Sequence, residues 1–306
     1  MTFRKRTLAP VSLAAIAAAC TAIPQPSEKS GQSAPAEIVQ PLPAPVPTPV
    51  PAPSGPTTFL FDGQLIQGGW IRGQAPAGTV SAKLADTPLA LDSGGRFFAA
   101  FDRDEGQSVQ LTATLGNGRV VTSPLAIAPR DWNIEHVNIA RSPGGMTDAF
   151  WKIREPELNR INASRDKETG AAGWRQDFIW PVKGRISGRF GSQRIYRGEP
   201  GSYHSGLDIA PGAGTPFVAP ADGVVVLAAP EGFSLEGKLL IIDHGQGLNS
   251  AFLHSQRLDV REGDMVKQGQ QLGLVGSTGR ATGPHLHWSL KWRDSRLDPL
   301  LFLPPQ

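Results

Sequence analysis

From Leu286 to Trp292 apolar and polar residues alternate without a break. Leu286, Trp288, Leu290 and Trp292 share one parity; His285, His287, Ser289 and Lys291 share the other. A period of two belongs to a β-strand, whose successive side chains point to opposite faces. The segment is therefore expected to be a strand with leucine and tryptophan in a core. Its other face then presents His285 and His287 side by side.

Two imidazoles on one strand face can serve a single centre, one as a metal ligand and one free for proton transfer. A second polar cluster lies upstream in Tyr203-His204-Ser205-Gly206-Leu207-Asp208, and His254 lies between the two. Four of the chain's six histidines fall in this set. Imidazole nitrogen and carboxylate oxygen are donors that zinc favours, and a catalytic site typically takes three protein ligands and leaves a fourth position to water. Titratable groups gathered in this way point to a functional site. On an extended strand His204 and Asp208 would stand about 13 Å apart, too far to share an ion. The backbone is therefore expected to turn or bulge through Ser205-Gly206-Leu207, where glycine permits it.

The N-terminus opens with Arg4-Lys5-Arg6, an apolar run from Leu8 to Ala19, and Cys20. Charged, apolar and small-residue regions in that order describe a secretory signal over residues 1–20, too short for a permanent membrane span. Ala17-Ala18-Ala19-Cys20 resembles a bacterial lipobox, with alanine at Ala17 where leucine is usual; the alternative is ordinary cleavage within the alanine run, with Cys20 incidental. Cys20 is the only cysteine, so the chain forms no internal disulfide and hides no second thiol site. The formal charge of +3 is carried by Arg4, Lys5 and Arg6. Without them the balance is near neutral and no basic stripe faces phosphates, which argues against nucleic acid as a partner.

Residues 21–56 are rich in proline, with proline at every second position from Pro41 to Pro53. Such a stretch buries no core and favours extended polyproline II. At about 3.1 Å per residue it reaches on the order of 100 Å, the dimensions of a stalk. Residues 57–130 carry short apolar runs separated by turn pairs such as Asp62-Gly63, Gly94-Gly95 and Asn117-Gly118. That spacing is expected of a small β-sandwich, immunoglobulin-like in general shape. Asp102, Asp104 and Glu105 there read as an acidic loop between strands. Residues 131–178 read as a connector with a short helix that takes Pro156 in its first turn. From 179 to 306 the chain is strand-rich and punctuated by glycine.

The region from about Phe190 to Pro299 resembles the lysostaphin/LytM-type zinc metalloendopeptidases that hydrolyse peptidoglycan. The resemblance rests on His204-Ser-Gly-Leu-Asp208, Ala219-Pro220-Ala221-Asp222-Gly223, Phe252-Leu253-His254 and Gly283-Pro284-His285-Leu286-His287. It implies an all-β chain whose C-terminal domain has the β-rich duplicated-hybrid-motif peptidase fold. It implies one zinc ion on His204, Asp208 and His287, with His254 and His285 as catalytic histidines. The implied substrate is the peptide stems and cross-links of peptidoglycan, in the periplasm, with a Cys20 lipid tether to the outer membrane and a possible regulatory cell-wall protein as partner. The alternative is a non-catalytic activator of cell-wall amidases, which has no need of the ligands. A biotinyl- or lipoyl-type carrier is disfavoured because Lys267 lacks the Met-Lys pair. His244 and His136 are expected to be structural.

Overall fold

A computed structural model describes residues 54–140 and 147–306. The signal, Cys20 and nearly all of the proline-rich stretch lie outside the described residues. The first strands are β1 (Leu60–Gly63), β2 (Trp70–Gln74), β3 (Thr79–Leu84), β4 (Thr87–Pro88), β5 (Arg96–Ala100), β6 (Ser108–Leu115) and β7 (Val120–Ala126). They form two antiparallel sheets, β1-β2-β5 and β4-β3-β6-β7. β6 shows why: Val109, Leu111, Ala113 and Leu115 are buried while the residues between them are not. Ile71, Phe97, Phe98 and Phe101 fill the core, with the Phe59 ring edge-on to Phe97.

β8 (Ile134–Val137) leads to α1 (Asp148–Arg165). Thr147 caps this helix, its hydroxyl accepting from the Phe150 amide at 3.2 Å. The helix is thus longer than the sequence reading held, and Pro156 lies in its interior rather than its first turn. Proline there forfeits one backbone hydrogen bond, so α1 depends on tertiary packing more than on propensity. Ile161 supplies it, buried against Val226, Leu239, Ile241 and Ala251.

Beyond α1 come β9 (Arg185–Gly188), β10 (Gln193–Tyr196), which pairs in parallel with β8, and β11 (Glu199–Pro200). Next are β12 (Leu207–Ala210), β13 (Pro216–Val218), β14 (Gly223–Phe233), β15 (Gly237–Asp243), β16 (Leu248–Ser255), β17 (Arg257–Leu258), β18 (Met265–Val266), β19 (Gln271–Leu274), β20 (Leu286–Trp292) and β21 (Ser295–Leu297). An antiparallel sheet runs β18-β14-β15-β16-β20-β12-β9, with β21 also on β20; β13-β19-β17 make a smaller one. Leu286, Trp288, Leu290 and Trp292 are all buried, as the alternation requires, and Phe217 stacks on Phe252 at 5.5 Å between ring centroids. The chain is predominantly β. The opposite face of the large sheet carries His287, between Asp208 on β12 and Leu253 on β16.

Candidate metal centre

β12 and β20 bring the first pair together by register alone. Leu207 and Ile209 enter the core, which turns Asp208 outward, directly opposite His287. His204 reaches the same point because the backbone bends at Gly206 before β12 begins. The expected turn is there, and it needs glycine: a Cβ on Gly206 would lie 2.6 Å from His287 Nε2 and 2.7 Å from the Trp288 carbonyl oxygen. A Cβ on Gly188 would collide with the Asp208 carboxylate. Asp208 Oδ1 lies 2.8 Å from His287 Nδ1 and 3.0 Å from His204 Nε2, and the two nitrogens are 3.1 Å apart.

These separations fit a tetrahedral ion, whose ligands at about 2.0–2.1 Å stand about 3.3 Å from one another. His204 Nδ1 donates to the Arg189 carbonyl at 3.1 Å, which leaves Nε2 as the lone-pair nitrogen facing the cluster. Burial works to raise the Asp208 pKa, but the His204 and His287 imidazoles facing its carboxylate outweigh it and hold the carboxyl well below the usual carboxylate range. Burial also opposes charge on His204, yet the Asp208 carboxylate raises its pKa on balance. At the more enclosed His287, burial prevails and lowers it. The cluster is a preformed pocket with a carboxylate oxygen and imidazole nitrogens aimed at one point.

His254 and His285 stand beside it, their ring centroids 4.9 Å apart. His254 Nδ1 donates to the Thr278 carbonyl at 2.9 Å and His285 Nδ1 to the Gly283 carbonyl at 2.8 Å. Both rings therefore keep Nε2 as the free nitrogen, and that of His285 lies 3.7 Å from Asp208 Oδ1. Burial lowers the His254 pKa, keeping its imidazole neutral at neutral pH. All five residues singled out in the sequence converge on one place. Two of its groups are suited to moving protons and three to holding a cation.

Residues 202–299 match the family model for Peptidase family M23. This C-terminal region is an M23 peptidase domain. The chain is 39% identical over 117 residues to the peptidoglycan DD-endopeptidase ShyA of Vibrio cholerae, covering 36% of this chain and 26% of that protein. It is 35% identical over 138 residues to the murein hydrolase activator NlpD of Escherichia coli, covering 44% of this chain and 32% of that protein. The similarity thus spans a third or less of either relative. A solved Pseudomonas aeruginosa chain assigned to peptidase M23 superposes with a TM-score of 0.57 at 28% identity, covering 78% of this chain and 95% of that one.

Sequence reasoning missed the partners that orient the M23 histidines. The carbonyls of Arg189, Thr278 and Gly283 leave no side-chain signature. It also missed Arg103, whose guanidinium donates to the Gly191 carbonyl at 3.1 Å and stacks on Tyr203, next to His204. The acidic loop around it gathers no cation cluster among the described residues: Asp104 pairs with Arg103, and Asp102 accepts from the Arg296 amide. His244 is structural, as expected. It is fully buried, with Nδ1 donating to the Asp222 carbonyl and Nε2 accepting from Ser250. His136 sits on β8, opposite Ile195 of β10.

Proposed function

We propose that this chain is a zinc metalloendopeptidase that hydrolyses the peptide cross-links of bacterial peptidoglycan. The observation that carries the reading is the complete set His204, Asp208 and His287 with two free imidazole nitrogens beside it. His204 Nε2, Asp208 Oδ1 and His287 Nδ1 would hold the ion. A zinc ion there supplies Lewis acidity and a bound water acidified toward neutral pH. His254 and His285 divide the proton work through Nε2: one takes the proton of the attacking water, the other hydrogen-bonds the developing oxyanion or the leaving amine. Their Nδ1 bonds to backbone carbonyls fix the rings for that task. The substrate class is supported by the similarity to a relative named as a peptidoglycan endopeptidase.

Export follows from the N-terminal signal, and a lipid on Cys20 would tether the chain to the outer membrane with the proline-rich stretch as stalk. A non-catalytic activator is the rival, in keeping with the second relative's name. Such a protein has no need of five converging groups, and their presence favours hydrolysis. Incubating the zinc-loaded full chain with peptidoglycan and analysing muropeptides by mass spectrometry tests the reading. New free peptide ends are expected, His287→Ala abolishing zinc binding and cleavage together and His285→Ala sparing most of the metal but little turnover. Cleavage unchanged in both variants, or no new peptide ends from the wild type, overturns it.

A further inference from the structure

Among the five site residues His254 alone has a left-handed backbone, with φ at +64°. A side chain in that region is held only where its surroundings over-determine it. Three bonds do so: the His254 amide donates to the Glu236 carbonyl at 2.9 Å, the Thr278 amide to the His254 carbonyl at 3.3 Å, and the ring Nδ1 to the Thr278 carbonyl at 2.9 Å. Thr278 is fixed in turn from the same side as Glu236. Its hydroxyl accepts from the Lys238 amide at 2.9 Å, and the Arg280 amide donates to the Leu235 carbonyl at 2.9 Å. Gly237 and Gly279 pass so closely that a Cβ on either would strike the other segment's backbone. The corner Ser234–Gly237, between β14 and β15, therefore supports both the backbone and the ring of His254.

That corner is anchored from outside the M23 match. Arg154, on α1 and only 6% exposed, places both arms of its guanidinium on the Glu236 carboxylate at 2.6 Å each. Arg154 also donates to Glu157 at 3.0 Å, and Glu157 accepts from the Ser234 amide at 2.6 Å and the Ser234 hydroxyl at 2.5 Å. A bidentate pair adds geometric definition as well as attraction. Removing Arg154 strands the largely enclosed Glu236 carboxylate without its partner, which drives the corner to move. We propose that Arg154 is a positioning residue for His254: through Glu236 it sets the corner that fixes the histidine's left-handed backbone and ring orientation. The proposal rests on the peptidase reading for its catalytic consequence, but not for its effect on the His254 ring.

The test is Arg154→Met in the full chain, with Ile161→Ala as a second variant that trims the same helix's packing while leaving the Arg154–Glu236 pair in place. Zinc content, kcat and KM on peptidoglycan fragments, and the ring nitrogen NMR signals of His254 are measured in each. For Arg154→Met the expected result is wild-type zinc content, KM within about twofold and a fall in kcat of about a hundredfold, the scale of a misplaced catalytic group. The His254 Nδ1–H signal should shift or broaden. Ile161→Ala should leave kcat and that signal unchanged. Glu236→Gln, which keeps the side chain's size but breaks the ion pair, should reproduce the Arg154→Met result and replaces it should that protein not fold. Unaltered His254 signals and kcat in the folded ion-pair variants overturn the proposal, as would an equal effect of Ile161→Ala. Should the wild type hydrolyse nothing, the peptidase reading falls while the His254 signals still decide this one.

Discussion

Asp208 and His287 are direct cross-strand partners on β12 and β20, and the same register that pairs their backbones closes Oδ1 and Nδ1 to 2.8 Å. A single antiparallel pairing thus supplies two of the three proposed ligand atoms, and only His204 has to be delivered by a bend. The geometry gives Asp208 a role no neutral isostere can fill, because its carboxylate is the one negative charge among the three donors. Asp208→Asn should keep the fold and lower zinc affinity by more than about a hundredfold, since even outer partners of a zinc site cost about ten- to a hundredfold. Competition with a coloured chelator measures this. Wild-type affinity would remove Asp208 from the ligand set.

Gly206 tests the bend itself. Its φ lies outside the left-handed region, so the demand is for space rather than for a special conformation. An added methyl would press on His287 Nε2 and, less yieldingly, on the Trp288 backbone carbonyl. Gly206→Ala should therefore lower stability by about 1–3 kcal/mol, the usual cost of overpacking, and abolish stoichiometric zinc. Gly283→Ala is the control, because nothing lies within 4 Å of the Cβ it would add. Urea unfolding and bound-zinc measurements on both variants separate the cases. Full zinc loading by Gly206→Ala would show that the loop has slack.

What the sequence disclosed and withheld follows from the range of the interactions. β20 was legible because alternation is local, and with it the shared face of His285 and His287. The bend at Gly206 was legible because two ligands four residues apart cannot meet along an extended strand. The start of α1 was not. Pro156 is a strong helix-start signal in isolation, and the Thr147 cap that overrides it becomes visible only from the Phe150 amide it satisfies. Nor was the left-handed backbone of His254, since histidine carries no mark of such a conformation. The Arg154–Glu236 pair joins residues 82 positions apart, and no periodicity reports on a partner at that distance. Local patterns located the chemistry, while the contacts that aim it are long-range or made by backbone carbonyls.

His244 gives the pH dependence a definite sign. Burial lowers its pKa to about 4, against about 6.5 for a free imidazole, even though the Asp222 carbonyl accepts from Nδ1. Protonating Nε2 would also break the bond it accepts from Ser250, whose oxygen receives the Trp288 indole N–H. As pH falls below about 6.5 the unfolded chain takes up this proton and the folded chain does not, so the native state loses ground. The contribution is full above about pH 6.5 and declines through the interval down to about pH 4. Between pH 7 and pH 5 it amounts to about 2 kcal/mol. In His244→Gln that component should vanish, while every other titrating group behaves as in the wild type. Urea unfolding of both proteins at pH 7, 6 and 5 should therefore give stabilities that converge as the solution is acidified. Parallel stability–pH curves would mean that His244 titrates in the folded protein much as it does in the unfolded chain, and that the Ser250–Trp288 network tolerates the charge.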